Sequence, residues 1–201
     1  MFSKSVLDLN YEEEATRIQD SIRRSLGSEL HRKGIVVAMS GGIDSSAVAA
    51  LAVSAVGPER VHGLMLPEHD SSGDSLRLAT ILAEQLGIGF DVVDIGPALE
   101  AMGCYRYRNE AIREVFPDFQ KDWKSKIVLP PLGEKARLNV YSLVVQKPDG
   151  SIEKKRLPLK PYLQLVAATN MKQRTRKATE YFHADRLNYA VSGTPNRLEY
   201  D

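Results

Sequence analysis

The chain has 201 residues, 43% of them hydrophobic, and its 27 lysines and arginines nearly cancel 26 aspartates and glutamates to leave a net charge of +1. That length and apolar fraction suffice for one substantial core, so a single domain over 1–201 is the expectation. The balanced charge lacks the basic surplus that nucleic acid or an anionic membrane surface demands, and Cys104, the single cysteine, excludes an internal disulfide framework or a cysteine-built zinc site.

At the amino end, Met1-Phe2-Ser3-Lys4 leads into Glu12, Glu13 and Glu14 and not into an apolar stretch. No apolar run approaches the roughly 20 residues that span a bilayer, so the expected setting is cytoplasmic, with no membrane partner. Asn10 and Glu13 have the spacing of a capping pair, and Ala15, Ile18, Ile22 and Leu26 follow at helical intervals. From Gly34 strands and helices alternate: strand 34–39, helix about 43–56, strand about 61–66, helix about 74–86, strand about 89–95. This rhythm predicts right-handed βαβ units and an α/β fold, a doubly wound parallel sheet with flanking helices. Ligands of such sheets bind beyond the carboxyl ends of the strands.

Ser40-Gly41-Gly42-Ile43-Asp44-Ser45-Ser46 stands at one such end, between the strand ending Ala38-Met39 and the following helix. Two glycines let an anion approach the backbone, and the serine hydroxyls and first N–H groups of the helix point toward it. A Walker-type loop needs a terminal Gly-Lys-[Ser/Thr], which is missing. Asp44 in its place would repel a bare phosphate, so the loop suits a magnesium-bound pyrophosphate. The plainer alternative is a strand-to-helix turn in which Asp44 or Ser45 serves as a cap. The second strand ends at Leu64-Met65-Leu66, where the backbone offers hydrogen bonds to an adenine edge; these residues are equally expected to be core.

Between 96 and 169 the pattern weakens. Tyr105, Tyr107, Phe116, Phe119 and Trp123 concentrate aromatic side chains, read as local core in preference to a substrate stack, and Pro130-Pro131 marks a break. Two segments, 137–146 and 151–157, flank Lys147-Pro148-Asp149-Gly150, a turn tetrad that predicts a β-hairpin. The insertion is placed at 124–160. Lys154-Lys155-Arg156 reads as its solvated edge. His31, His62, His69 and His183 form no metal-ligand spacing and are expected to be structural. Cys104 has no motif around it and reads as an idle, buried thiol.

Three stretches together resemble a known family. Ser40 to Ser46 resembles the signature loop of the ATP pyrophosphatases, which cleave ATP between its α and β phosphates to adenylate a carbonyl oxygen. Asn170-Met171-Lys172-Gln173-Arg174-Thr175-Arg176 resembles the Asn-x-x-x-Arg-x-Arg of the NAD synthetases, in which that motif opens a helix. Gly193-Thr194-Pro195-Asn196-Arg197-Leu198-Glu199 is similar to their Gly-Thr-Gly-Asn-Lys-Ser-Glu, with proline, arginine and leucine replacing glycine, lysine and serine.

The resemblance implies the ammonia-dependent type of NAD synthetase, an adenine nucleotide alpha hydrolase-like fold with an inserted hairpin, and an amide ligase. In that activity ATP adenylates the carboxylate of deamido-NAD, pyrophosphate leaves, and ammonia gives NAD and AMP. It implies Asp44 and Ser46 as catalytic residues. ATP is assigned to Ala38, Met39, Ser40, Gly41, Gly42, Ile43, Asp44, Ser45, Ser46, Leu64, Met65 and Thr194, and deamido-NAD to Arg174. Mg²⁺ is assigned to Asp44 and Glu199, and a homodimer is implied. For Arg174 a solvated basic helix face is the plain alternative, and for Thr194 a simple turn. The family extends past the last motif, so the domain is expected to be incomplete at its carboxyl end. The alternatives are a ligase of the same class acting on another carboxylate or on tRNA, and a nucleotide-binding module without turnover.

Overall fold

A computed structural model describes residues 8–129 and 141–194. The chain divides into two compact units, one comprising 1–96 with 176–201, the other 97–175.

In the first unit, Asn10 caps α1 (Tyr11–Arg24) by accepting from the Glu13 N–H, and a π-helical turn, Ser25–Glu29, continues it. The strands are β1 (Ile35–Ala38), β2 (Val61–Met65), β3 (Gly89–Val92) and β7 (Ala190–Ser192), and α2 (Ile43–Val56) and α3 (Gly73–Leu86) connect the first three. All pairings are parallel and the order is β3-β2-β1-β7. The expected alternation of strand and helix is therefore present.

Successive strand residues face opposite ways. Ile35, Val37 and Met39 pack with Ala49, Ala52, Ala79 and Ala83 of α2 and α3, whose small side chains let helix and sheet approach closely. Val36 and Leu64, on the opposite face, are also fully buried. Burial on both faces explains why β1 is continuously apolar. Arg23 of α1 donates to the Ala55 carbonyl (2.8 Å) and the Ser54 carbonyl (3.3 Å), satisfying carbonyls that the end of α2 leaves unpaired.

The second unit contains most of α4 (Gly96–Ala101), then α5 (Cys104–Val115), β4 (Lys124–Val128), β5 (Ser142–Gln146), β6 (Ile152–Arg156) and the first part of α6 (Leu159–Leu187). The expected hairpin is present as β5 and β6. Gly150 takes a φ of +86° in its turn, and the Lys147 N–H donates to the Ser151 carbonyl at 2.9 Å. A third antiparallel strand, β4, joins the far side of β5. Leu143 and Val145 enter a core with Ala111, Ile112, Phe116, Phe119, Leu157 and Leu165, so Phe116 and Phe119 are local core as read. Cys104 is fully buried, and its thiol donates to the Ala168 carbonyl at 3.3 Å.

α6 runs for 29 residues. Asn170 lies well inside it, so the arginine motif does not open a helix here; the start is at Leu159. Pro161 is tolerated because first-turn N–H groups need no intrahelical acceptor. Among the described residues no helix is long and apolar enough to cross a membrane.

Candidate functional site

The turn after β1 is held by its own hydrogen bonds. Gly41 has a φ of +76°, and a Cβ there would lie 2.5 Å from the Ser75 carbonyl oxygen, so only glycine fits. The buried Ser45 hydroxyl accepts from the Ser40 N–H (3.2 Å) and donates to the Gly42 carbonyl (3.1 Å). The Gly42 N–H donates to Ser40 Oγ (3.2 Å), and the Ser46 hydroxyl donates to the Gly42 carbonyl (2.8 Å). Ser45 is thus an internal brace, whereas the backbone of Ser40 to Ile43 forms the outer surface of the bend.

Gly42 is the N-cap of α2, and no side chain caps that end. Asp44 and Ser45 are therefore not the caps that the plainer reading made of them. The opening N–H groups of α2 carry the positive end of the helix dipole without a side-chain acceptor. Asp44 is exposed in the same turn, and among the described residues its carboxylate has no hydrogen bond or ion pair. A hard oxygen ligand beside an uncapped helix start fits a hydrated magnesium ion on phosphate oxygens.

Topology places this loop. β1 lies between β2 and β7, and the chain moves outward through β2 and β3 before returning to the other side of β1. Strand order reverses at β1, where α/β sheets open a crevice at their carboxyl ends. The register pairs Val37 with Ser192, the last residue of β7, so Thr194 follows two residues past the end of β7 on the side of the sheet where β1 also ends. Ala38, Met39, residues 40–46 and Thr194 thus gather at one end of the sheet. Leu64 and Met65 end β2 beside them, but their carbonyls already accept from Met39 and Val93 N–H groups, both at 2.9 Å. Leu66, one residue on, is the next backbone position at that end.

Arg174 is exposed on the part of α6 that belongs to the second unit. Glu199 lies outside the described residues. Two groupings escaped sequence reasoning. Arg176 approaches the nearly buried Glu68 carboxylate at 3.8 Å. His62, Asp91 and His183, far apart in sequence, converge: His62 Nε2 lies 3.0 Å and His183 Nδ1 3.1 Å from Asp91 Oδ2. The Arg186 guanidinium contacts Asp91 Oδ2 and reaches His183 Nδ1 at 2.9 Å. Burial, then the Arg186 charge, pushes His183 below its ordinary pKa. Burial acts upward on Asp91, but His62, Arg186 and His183 together outweigh it and hold the carboxyl low. No local motif signals either grouping.

The fold is that of solved NAD synthetases. An NH3-dependent NAD synthetase from Campylobacter jejuni superposes with a TM-score of 0.61 at 20% identity, covering 96% of this chain and 60% of that one. NAD+ synthetase from Burkholderia pseudomallei gives 0.58 at 20% identity, over 96% and 66%. The family model described as NAD synthase matches residues 14–127, more than half of the chain. This chain belongs to the NAD synthase family. Relatives named NH(3)-dependent NAD(+) synthetase are 55% identical in Mesorhizobium japonicum, over 98% of this chain and 61% of the relative, and 53% identical in Rhizobium meliloti, over 100% and 60%. The chain spans about 60% of the length of these two curated relatives.

Proposed function

We propose that this chain carries the ATP-handling part of an ammonia-dependent NAD synthetase. The observation that carries the reading is the braced glycine bend at the reversal point of the sheet, with an uncapped helix start and an unengaged Asp44 beside it. The names of the relatives supply ammonia and NAD, and the resemblance of residues 40–46 to the ATP pyrophosphatase loop supplies the adenylation. A carboxylate oxygen of deamido-NAD attacks the α-phosphorus of ATP, pyrophosphate departs, and ammonia displaces AMP from the acyl adenylate to give NAD.

In this reading the Gly41 N–H and the opening N–H groups of α2 receive the charge that accumulates on the departing pyrophosphate, while the Ser40 and Gly42 N–H groups hold the bend. Ser45 keeps the bend in shape. Ser46, in the same first turn, joins Asp44 as the second residue acting on the phosphates. Thr194, Ala38 and Met39 line the nucleotide side, with Leu64 to Leu66 beside the base. Mg²⁺, held by Asp44 and Glu199, would draw charge from the phosphate oxygens. Arg174 would pair with an anionic group of deamido-NAD through its guanidinium fork. A homodimer and a cytoplasmic setting belong to the same proposal, and sedimentation velocity tests the first.

Calorimetric titration with ATP and Mg²⁺, beside an assay of pyrophosphate release with deamido-NAD and ammonium, tests the reading. Wild-type protein should bind ATP·Mg²⁺, and Asp44→Ala should reduce ATP- and deamido-NAD-dependent release by about 10²-fold or more. Unchanged release in Asp44→Ala would remove that residue from the mechanism. Binding without NAD formation would favour a nucleotide-binding module.

A further inference from the structure

We propose that His62 Nε2, Asp91 Oδ2 and His183 Nδ1 form a binding site for a borderline transition-metal cation such as Zn²⁺, and that Arg186 is the side chain the ion displaces. The inference is independent of the nucleotide reading, because none of these four residues belongs to the glycine bend or to the first turn of α2.

The geometry comes from rigid elements. His62 pairs with Gly89 and Leu64 with Asp91 across β2 and β3, so His62 and Asp91 share one sheet face as diagonal neighbours. His183 is carried to that face by α6, its ring stacked on that of His62 with centroids 6.2 Å apart and planes 18° from parallel. The three ligand atoms all lie within 4.8 Å of one another. Ligands of a tetrahedral zinc ion, bound at about 2.0–2.1 Å, are separated by about 3.3 Å. The 3.0 and 3.1 Å separations from Asp91 Oδ2 therefore require only small adjustments.

The donor set is selective. Two imidazoles and one carboxylate suit Zn²⁺, Co²⁺, Ni²⁺ or Cu²⁺, whereas Mg²⁺ and Ca²⁺ demand oxygen ligands. The contacts of Arg186 also reveal the state of the site. Its guanidinium donates to both Asp91 Oδ2 and His183 Nδ1, so the Nδ1 lone pair is turned toward the guanidinium, the place a metal ion would take. One positive group already sits where these lone pairs converge. The Arg186 and Asp91 side chains are 41% and 40% exposed, which leaves the arginine a route to water and the ion a route inward. Three protein ligands with a water in the fourth position complete a tetrahedral shell.

The test uses the full chain, stripped with a chelator and titrated with Co²⁺ and then Zn²⁺. One equivalent of Co²⁺ should give the intense visible absorption of a four-coordinate centre, which Zn²⁺ abolishes and excess Mg²⁺ does not. Zn²⁺ should also raise Tm, since it ties α6 to β2 and β3. His62→Gln and Asp91→Asn should each weaken binding by about tenfold or more. Arg186→Ala should tighten it, because the competing cation is gone. Circular dichroism checks that each variant folds, and the comparison of wild type with Arg186→Ala stands even where a ligand variant does not. Absence of stoichiometric binding in both wild type and Arg186→Ala would overturn the proposal and leave Arg186 as the permanent counter-charge. Binding unchanged in a folded His62→Gln would overturn it as well, by placing the metal elsewhere.

Discussion

The two sheets of this molecule bury apolar surface in different ways. In the parallel sheet every strand points the same way and both faces are covered, so Val36, Val37 and Leu64 are all fully buried. In the antiparallel sheet Leu143 and Val145 face a core, whereas Val144 and its partner Lys154 face the opposite way, with Lys154 exposed. Where the inner face runs out, the Lys155 ammonium sits over the Phe116 ring, with Nζ 4.5 Å from the ring centroid. Only the first arrangement collects several strand ends on one side, and that is the side on which the glycine bend follows β1 and Thr194 follows β7. An antiparallel sheet alternates its ends and gathers no such set.

Substitutions can break or sharpen that contrast. Leu64→Ala and Leu143→Ala each remove a fully buried leucine, at a cost of about 2–5 kcal/mol. Urea denaturation should show the larger loss for Leu64, which the helix-covered sheet prevents from collapsing around the void. Gly41→Ala comes next. The left-handed backbone alone costs about 1–2 kcal/mol, and the clash with the Ser75 carbonyl must also distort the bend, so weakened ATP binding should accompany the lowered stability. Arg23→Ala should cost about 1 kcal/mol by leaving the end of α2 without its donor; Ile152→Thr, on the exposed edge strand of the second sheet, should change stability by less than about 0.5 kcal/mol.

The smallest effect concerns pH. Burial raises the pKa of Glu180, against the opposing pull of Lys177, 2.6 Å away, and of the Arg176 charge. A carboxyl raised in the fold binds its proton more tightly there than in the unfolded chain. Its favourable contribution is therefore complete below the unfolded pKa and is lost as pH rises through the folded one. Glu180→Gln should flatten this part of the stability-against-pH curve, with a relative gain above the carboxylate range that disappears in acid. Thermal denaturation between pH 4 and 8 reads it.

Legibility in the sequence followed the same division. β1, the bend and α2 were readable because a buried parallel strand is uninterruptedly apolar and the bend announces itself in consecutive residues. β4 was missed because Lys124-Ser125-Lys126 is exposed and polar, with no alternation to find. The start of α6 was missed because Pro158 and Pro161 obscure the helical pattern of its first turn, and Asn170 took the role of opener by analogy. His62, Asp91, His183 and Arg186 were invisible because sheet register and a long helix bring them together over separations that spacing rules do not scan. Asp44 was legible as a residue type, and the structure added that among the described residues nothing engages it.

The position of β7 has a consequence for synthesis on the ribosome. β1 emerges early, yet its second neighbour begins at Ala190, so the sheet cannot be completed on that side of β1 until about 150 further residues have been made. Closing so long a loop is slow and entropically costly. Until then one border of β1 stays unpaired, a template for stray strands, and a nascent chain halted before that point would carry the whole glycine bend on a strand with a single paired neighbour.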